Sequence, residues 1–458
     1  MIARPLVPPR IAATATATRR LPYAFGPRFF LLLGVGLMFV VPAWLDRSAL
    51  AALLAWNLAV LALWRVDLSR IPPGDGLEVA RVWRTPPALG APSRVAVEVH
   101  NHTRRPVSVD VMDDVPTALR HALPEARVDV GGGETGSIEY DVAPSSRGDA
   151  AVGDIALRVR TPWSIAERWL SVPARQTVRI YPNLDEARAQ SMFLLRSRQV
   201  ALEKRRSRVV GLGRDFESLR DYQPGDEARD ICWTATARRA RPVTRVYQPE
   251  RSQAVWIIVD GGRLLRARTG ERTKLDGLVG AALGLANVAL TAGDRVGLLA
   301  YGRRIHARLA PGRGGHHLRT LVDALATLPA ESAEADHATA AAVVMGAQRQ
   351  RALIVWLTEV AETAGVPDVI EGAARLAPRH VVLFAVHRPT EVHEVADRAP
   401  SSEAGLYQML ASHEMLSRRE VLLGGLRQRG VLVLEMDPGA PTAALIDQYL
   451  TVKERNLI

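Results

Sequence analysis

The chain is 458 residues long, too many for one hydrophobic core and enough for about three domains. Hydrophobic residues make up 48% of it, an ordinary globular share, so any membrane portion is a small part of the whole. Its 59 Lys and Arg against 48 Asp and Glu leave a net charge of +11, but the arginines are scattered and no nucleic-acid motif accompanies them, which favours a soluble region beside an anionic membrane leaflet over a nucleic-acid partner.

Residues 1–28 read as a basic N-terminal segment. Phe29 to Leu45 (FFLLLGVGLMFVVPAWL) carries no charge, Asp46-Arg47-Ser48 interrupts it, and Ala49 to Trp64 (ALAALLAWNLAVLALW) is again uncharged. Each run is near the lower limit of about 17 residues for a spanning helix. Trp44, Trp56 and Trp64 suit interfacial anchors. Residues 29–64 are therefore expected to form two transmembrane helices in contact with lipid. A second apolar run directly after the first argues against a cleaved signal peptide. Arg4, Arg10, Arg19, Arg20 and Arg28 precede the hairpin, Arg65 and Arg70 follow it, and its tip has only Arg47. The positive-inside rule then places both termini in the cytoplasm of a two-span inner-membrane protein. The lone cysteine, Cys232, excludes an intrachain disulfide and a multi-cysteine zinc site, and fits a reducing compartment.

Ile71-Pro72-Pro73-Gly74-Asp75-Gly76 reads as a turn-rich linker. Beyond it the period becomes two, in Arg94–Val99, Val107–Val111, Ile155–Val159 and Thr177–Ile180, with turns at Asn101-His102-Thr103 and Gly131-Gly132-Gly133. Residues 75–182 are expected to form an immunoglobulin-like β-sandwich acting as a spacer or partner platform. Residues 183–252 read as a helical connector, with a helix from Leu184 to Arg208 that ends in the basic run Lys204–Arg208.

Within that connector, Gly211 to Arg251 is crowded with both charge signs. Gln223-Pro224-Gly225-Asp226 suits a type II turn, and Asp226 is placed to N-cap a following helix. Arg220, Asp221, Asp226, Arg229, Asp230 and Arg238 alternate in sign around Tyr222 and Trp233, so the cluster is either paired internally or held for a partner. This stretch resembles the bacterial domain of unknown function 58 family, whose signature is met in register by Gly213, Phe216, Leu219, Arg220, Tyr222, Gly225, Asp226, Arg229, Ile231, Trp233, Ala237 and Arg238. Cys232 stands where the family usually has Asp. Arg147-Gly148 and Thr161-Pro162-Trp163 resemble two further family elements, with Thr for an Asp in the second. Phe216, Arg220, Tyr222, Gly225, Asp226, Arg229, Asp230, Trp233 and Arg238 are thus candidates for an interdomain clamp or a partner-docking surface.

Residues 253–458 alternate strands and helices. Ala254–Val259 is an apolar run fit for a strand buried on both faces, and Leu275, Leu278, Ala282, Leu285 and Ala289 follow at helical spacing. Further strands are expected at Arg295–Ala300, Ala352–Thr358, His380–Val386 and Val431–Glu435, giving a doubly wound, mostly parallel sheet. An Asp ending the first strand makes the domain similar to the von Willebrand factor type A fold, whose D-x-S-x-S loop often holds a divalent cation. Here the loop is Asp260-Gly261-Gly262-Arg263-Leu264, so Gly262 and Leu264 replace both serines, and Thr358-Glu359 falls where an Asp is common. A hard cation wants about six oxygens, and Asp336 or Thr339 adds too few. The site reads as degenerate, with no metal and no cofactor.

The chain has no G-x-S-x-G elbow and no phosphate loop, and His393-Glu394 and His413-Glu414 lack the second His of a zinc protease. The expected function is that of a non-enzymatic, membrane-tethered scaffold. The family resemblance implies a MoxR-type AAA+ ATPase as partner, in assembly or maturation of other complexes. Two alternatives stand beside it: a cation-dependent ligand-binding domain and an envelope-acting enzyme.

Overall fold

The structure is a computed structural model that describes residues 7–17, 23–45, 47–120, 122, 124–183, 215–223, 230–248, 253–270, 272–360, 366–455 and 457. The chain divides into two compact units, Arg4–Asn183 and a second one drawn mainly from Leu184–Ile458.

The first unit is rich in β structure. Its strands are β1 (Ile11–Thr14), β2 (Thr16–Ala17), β3 (Tyr23–Phe25), β4 (Leu77–Trp83), β5 (Ser93–Asn101), β6 (Val107–Asp113), β7 (Glu125–Val130), β8 (Thr135–Val142), β9 (Gly148–Val152), β10 (Ile155–Arg160), β11 (Ala166–Val172) and β12 (Gln176–Ile180). One sheet has the order β1-β4-β5-β8, and a second has β2-β11-β10-β6-β7 with β3 also on β11. The pleat turns Val79, Val97 and Val99 of the first sheet and Val109, Val111, Leu157, Val159 and Leu170 of the second into one shared core. Each such side chain contributes about 1.5–3 kcal/mol by leaving water.

The N-terminal segment departs from its sequence reading as a basic tail. Ile11 and Ala13 alternate inward, and β1 pairs antiparallel with β4 while β2 and β3 pair with β11. Strands of two to four residues are too short for a periodicity argument to register.

Between β3 and β4 runs the helical hairpin. Its first leg is a helix over Pro27–Gly36, a 3₁₀ turn over Leu37–Phe39 and a short helix over Val40–Leu45, and its second is a single helix over Arg47–Arg70. The legs approach closely at Gly36, where a Cβ would lie 2.8 Å from the Trp56 ring, and Trp56 Nε1 donates to Leu32 O at 3.0 Å. The second leg continues six residues past the expected end at Trp64, because Asp67 is not exposed to solvent but serves as an anchor. Its carboxylate accepts from Thr161 Oγ1 and from the backbone N–H groups of Ile165 (2.9 Å) and Ala166 (2.8 Å). Nor is the 71–76 segment a loose linker, since Ile71 is buried in the shared core. Ser48–Arg70 is long and apolar enough to cross a membrane, whereas Pro27–Pro42 is apolar but shorter. Lys274–Thr291 passes the same test but is mostly buried within the second unit.

In the second unit, the described part of the connector is not helical throughout. β13 (Asp215–Asp221) pairs antiparallel with β14 (Val243–Gln248), and the helix Trp233–Arg239 lies between them. The β-branched and aromatic residues of Val243-Thr244-Arg245-Val246-Tyr247 favour a strand within what reads from sequence as a helical connector. The expected helix from Leu184 to Arg208 lies outside the described residues.

The rest of this unit is built on β15 (Ala254–Asp260), a small ribbon of β16 (Arg268–Thr269) and β17 (Arg272–Thr273), β18 (Arg295–Tyr301), β19 (Ile305–Gly312), β20 (Leu353–Leu357), β21 (Val381–His387) and β22 (Leu432–Met436). Six of these form a sheet in the order β19-β18-β15-β20-β21-β22, parallel except for β19 at one edge. The four later strands expected from sequence fall within a residue or two of β18, β20, β21 and β22. β19 was not expected, because its half-exposed, polar-rich pattern lacks the continuous apolar run of its neighbours. One face of the sheet packs on helices His337–Ala347, Val366–Leu376 and Glu403–Gln428 around Trp256, Trp356 and Phe384. Lys274–Thr291 lies against β15 and beside Pro441–Glu454, and a capping box of Thr273 and Asp276 starts it.

Candidate functional site

The sheet grows in opposite directions from β15, since β18 follows on one side and β20 on the other. At such a switch point the carboxyl ends of the strands border a crevice where open α/β folds take ligands. Asp260 ends β15 and Thr358 follows β20, and both are buried. Thr358 Oγ1 donates to Asp260 Oδ2 at 2.6 Å, and the Gly262 N–H donates to Oδ1 at 2.7 Å. Each carboxylate oxygen is thus engaged by a protein donor. Burial holds the Asp260 carboxyl above the usual carboxylate range, against these two hydrogen bonds and nearby His337.

Beneath it, Tyr301 at the end of β18 accepts from Trp356 Nε1 at 2.8 Å and lies 2.8 Å from His337 Nδ1. The tyrosine proton is then free to go to the imidazole, which requires a neutral ring. Burial, which lowers the His337 pKa, favours that form. Asp336 and Thr339 satisfy each other at the start of the next helix, with Thr339 N–H and Oγ1 both donating to the Asp336 carboxylate at 2.9 and 2.6 Å.

Glu359 has a different partner set. It accepts from Lys274 Nζ at 2.9 Å and Arg419 Nη1 at 3.0 Å, and Arg419 also donates to Val360 O at 2.7 Å and His387 O at 2.5 Å. It ties the end of β20 to the first residue of the Lys274–Thr291 helix and to the Glu403–Gln428 helix. Sequence reasoning missed Arg419, since nothing local marks a charged residue in a 26-residue helix as the partner of a glutamate 60 positions earlier. Arg419 also lines a cavity of about 440 Å³ with Arg388, His393, Leu416, Glu420 and Glu435.

These positions do not suit a hard cation. Gly262 and Leu264 offer no side-chain oxygen, and Arg263 pairs with Glu334 at 2.9 Å. A Cβ on Gly262 would lie 3.0 Å from Asp260 Oδ1 and 3.1 Å from Ala335, so the backbone here is packed for glycine. Among the described residues no group of three or more His, Cys, Asp or Glu is placed to hold a metal. The arrangement can lock strand ends together.

The charged motif forms a second candidate site. Cys232 N–H donates to Val243 O at 2.8 Å, Ile231 bridges to Thr244, and Thr236 Oγ1 accepts from Val243 N–H at 3.0 Å, which fixes the short helix on the ribbon. Cys232 is buried, so the family's usual Asp would be enclosed here. Trp233 points away and is 69% exposed, beside exposed Arg238 and Arg239 on the same helix, while Tyr222 at the end of β13 is also exposed. Arg220 donates to Asp221 O at 3.2 Å, and Asp221 pairs with Arg241 at 2.9 Å. Asp230 is half-buried, and Phe216 pairs through its backbone with Tyr247. Gly225, Asp226 and Arg229, with the expected Asp226 N-cap, lie outside the described residues. The described helix starts at Trp233 with no side-chain cap.

Residues 218–397 match the family model described as Protein of unknown function DUF58. Over these residues the chain is a DUF58 family protein. The DUF58 match takes in most of β13, the motif helix, Asp260, Thr358 and Glu359, and ends with the helix Thr390–Asp397. Uncharacterized proteins from Mycobacterium bovis and from two strains of Mycobacterium tuberculosis are 28% identical over 177 residues, which is 38% of this chain. The chain spans 55% of the length of these curated relatives. Among solved structures, a PapD-like domain of human CEP192 is 12% identical with a TM-score of 0.17, over 23% of this chain and 86% of that one. A β-glucosidase from Listeria innocua is 14% identical with a TM-score of 0.14, over 23% of this chain and 16% of that one. Both likenesses are too slight to carry an argument.

Proposed function

We propose that this protein is a non-enzymatic scaffold tethered to the inner membrane by its helical hairpin, with both soluble units on the cytoplasmic side, and that it serves as an adaptor for a MoxR-type AAA+ ATPase. The observation that carries the scaffold reading is the set of exposed aromatic and cationic side chains that the motif carries, Trp233 and Arg238 on its short helix and Tyr222 just after β13. Trp, Tyr and Arg are the residue types that dominate binding energy at protein interfaces. The choice of ATPase follows from the family resemblance. A von Willebrand factor type A-like reading of the second unit is supported by its strand order and by Asp260 at the end of the first strand. The two sheets sharing one core support an immunoglobulin-like sandwich in the first. The apolar helix ending at Arg70 supports the tether, and the β1–β4 pairing requires the two flanks of the hairpin to lie on one side of any membrane it enters.

The test is co-purification from membranes in mild detergent with ATP and Mg²⁺, comparing the wild type with a Trp233→Ala, Arg238→Ala variant. Recovery of an AAA+ ATPase with the wild type and its loss from the folded variant is the expected result. Equal recovery would remove this face as the docking surface, and no ATPase with either would remove the adaptor reading.

A further inference from the structure

We infer that the joint between the hairpin and the β-rich unit is a seat for anionic phospholipid headgroups, which lays this unit directly on the bilayer surface. The inference rests on the membrane tether proposed above and adds a lipid site to it.

The joint is rigid. Asp67 holds the 161–166 turn through three hydrogen bonds, the Gly26 N–H donates to Ile165 O at 2.7 Å, and Trp64 Nε1 donates to Ala24 O at 3.1 Å. Phe29, Val60 and Ile165 pack together inside it. A unit fixed in this way to the last turns of a membrane helix has no slack with which to stand off from the membrane.

Its position matches the depth of the headgroups. From Arg47 to Trp64 the second leg is roughly 26 Å long at about 1.5 Å per residue. That is shorter than a hydrocarbon core of about 30 Å. Burying the stretch from Arg47 to Trp64 fully therefore draws the joint that follows it into the headgroup layer. The residues presented there suit that layer: Tyr23, Phe25, Phe30 and Trp163 are 40–59% exposed around the base of the hairpin.

The charge is of one sign. Arg28 Nη1 donates to Pro162 O at 3.0 Å and to Trp163 O at 3.3 Å, and the Arg70 guanidinium lies 3.6 Å from the centre of the Trp163 ring. Arg65 is exposed on the same stretch of helix. None of the three meets a carboxylate among the described residues, and the nearby carboxylate of Asp67 is enclosed by its own donors. A stacked guanidinium keeps its N–H edge for an anion, and a phosphate oxygen is the matching acceptor. The aromatic rings would lie against glycerol and upper acyl chain.

The test uses the full chain in nanodiscs of phosphatidylcholine, with and without phosphatidylglycerol. In a Cys232→Ser background, a fluorophore is placed on Pro162→Cys, or on Ser146→Cys in a loop away from the joint, and quenched by lipid carrying a headgroup nitroxide. The expected result is strong quenching at position 162, little at 146, and a severalfold gain at 162 on adding phosphatidylglycerol. That gain should vanish in Arg28→Gln, Arg70→Gln and return in the Arg28→Lys, Arg70→Lys pair. Disc-bound protein without quenching at 162 overturns the seat while leaving the tether. Quenching indifferent to phosphatidylglycerol overturns its anionic specificity. Failure to co-elute with the discs overturns the tether, and the seat falls with it.

Discussion

Arg81 and Asp113 meet fork to fork inside the β-rich unit, and neither side chain exposes more than 1% of its surface. Arg81 Nε donates to Asp113 Oδ2 at 2.9 Å and Nη2 donates to Oδ1. The remaining donors reach Ala174 O at 2.6 Å and Gly153 O at 2.9 Å, and the Tyr140 hydroxyl donates to Asp113 Oδ2 at 2.5 Å. The pair links β4 of one sheet to β6 of the other within a largely aliphatic core.

Removing one partner strands the other. Asp113→Ala leaves a buried guanidinium and should destabilise the unit by about 3–5 kcal/mol. Amide exchange of peptides spanning β4 and β6 should accelerate accordingly. The double replacement Arg81→Met, Asp113→Leu should recover most of the protection, because no buried charge remains. Unchanged exchange in Asp113→Ala would contradict this account of the pair.

Asp67→Ala deprives the Thr161 hydroxyl and two buried backbone N–H groups of their acceptor, at about 1–3 kcal/mol for each unsatisfied group. Limited proteolysis should then cut within residues 161–166, where the wild type resists. Resistance in the variant would mean that packing of Phe29, Val60 and Ile165 alone secures the turn.

Restoring a serine at position 262 should not restore a cation site. In Gly262→Ser the new Cβ presses on Asp260 Oδ1 and Ala335, and Asp260 stays bound to Thr358. Calorimetric titration with Mg²⁺ should give no heat of binding in the wild type or the variant, and the variant should melt lower. Saturable binding in either would reopen the cation reading.

His387 gives the second unit an acid limit. Burial, aided by Lys274 and Arg419 and opposed by Glu359, drives its pKa down to about 4. An unfolded histidine titrates near 6.5, so below that pH the unfolded chain binds the extra proton first. Stability from this residue is complete above about pH 6.5 and declines until the pH reaches about 4, by on the order of 3 kcal/mol. His387→Asn should melt with a flatter pH dependence between 7 and 4 than the wild type. Parallel curves would place the acid sensitivity elsewhere.

What could be read in advance follows the length scale of each signal. β15 and β20 are runs of apolar residues buried on both faces, so periodicity and composition found them. β1, β2 and β3 have two to four residues each, and only their partners far along the chain make them strands. The same holds for the sites. Asp260 was visible because it ends an apolar strand, and Trp233 because it belongs to a dense local motif. The enclosure of Asp67 was not visible, since its three donors lie nearly a hundred residues away on a turn with no charge. Arg81 and Asp113 were equally hidden, because a charged residue in an alternating strand reads as an outward position until its partner is located.

The pairing of β1 with β4 also sets an order of events during synthesis. Thr14 waits for Glu78, roughly sixty residues further on. At ribosomal speed that is a delay of roughly 3–12 s, and the whole hairpin must emerge within it. Through that interval β1 is an unpaired edge, open to any other strand. The hairpin is therefore best delivered promptly to its final surroundings, because only its return brings β4 back to the strand that has been waiting for it.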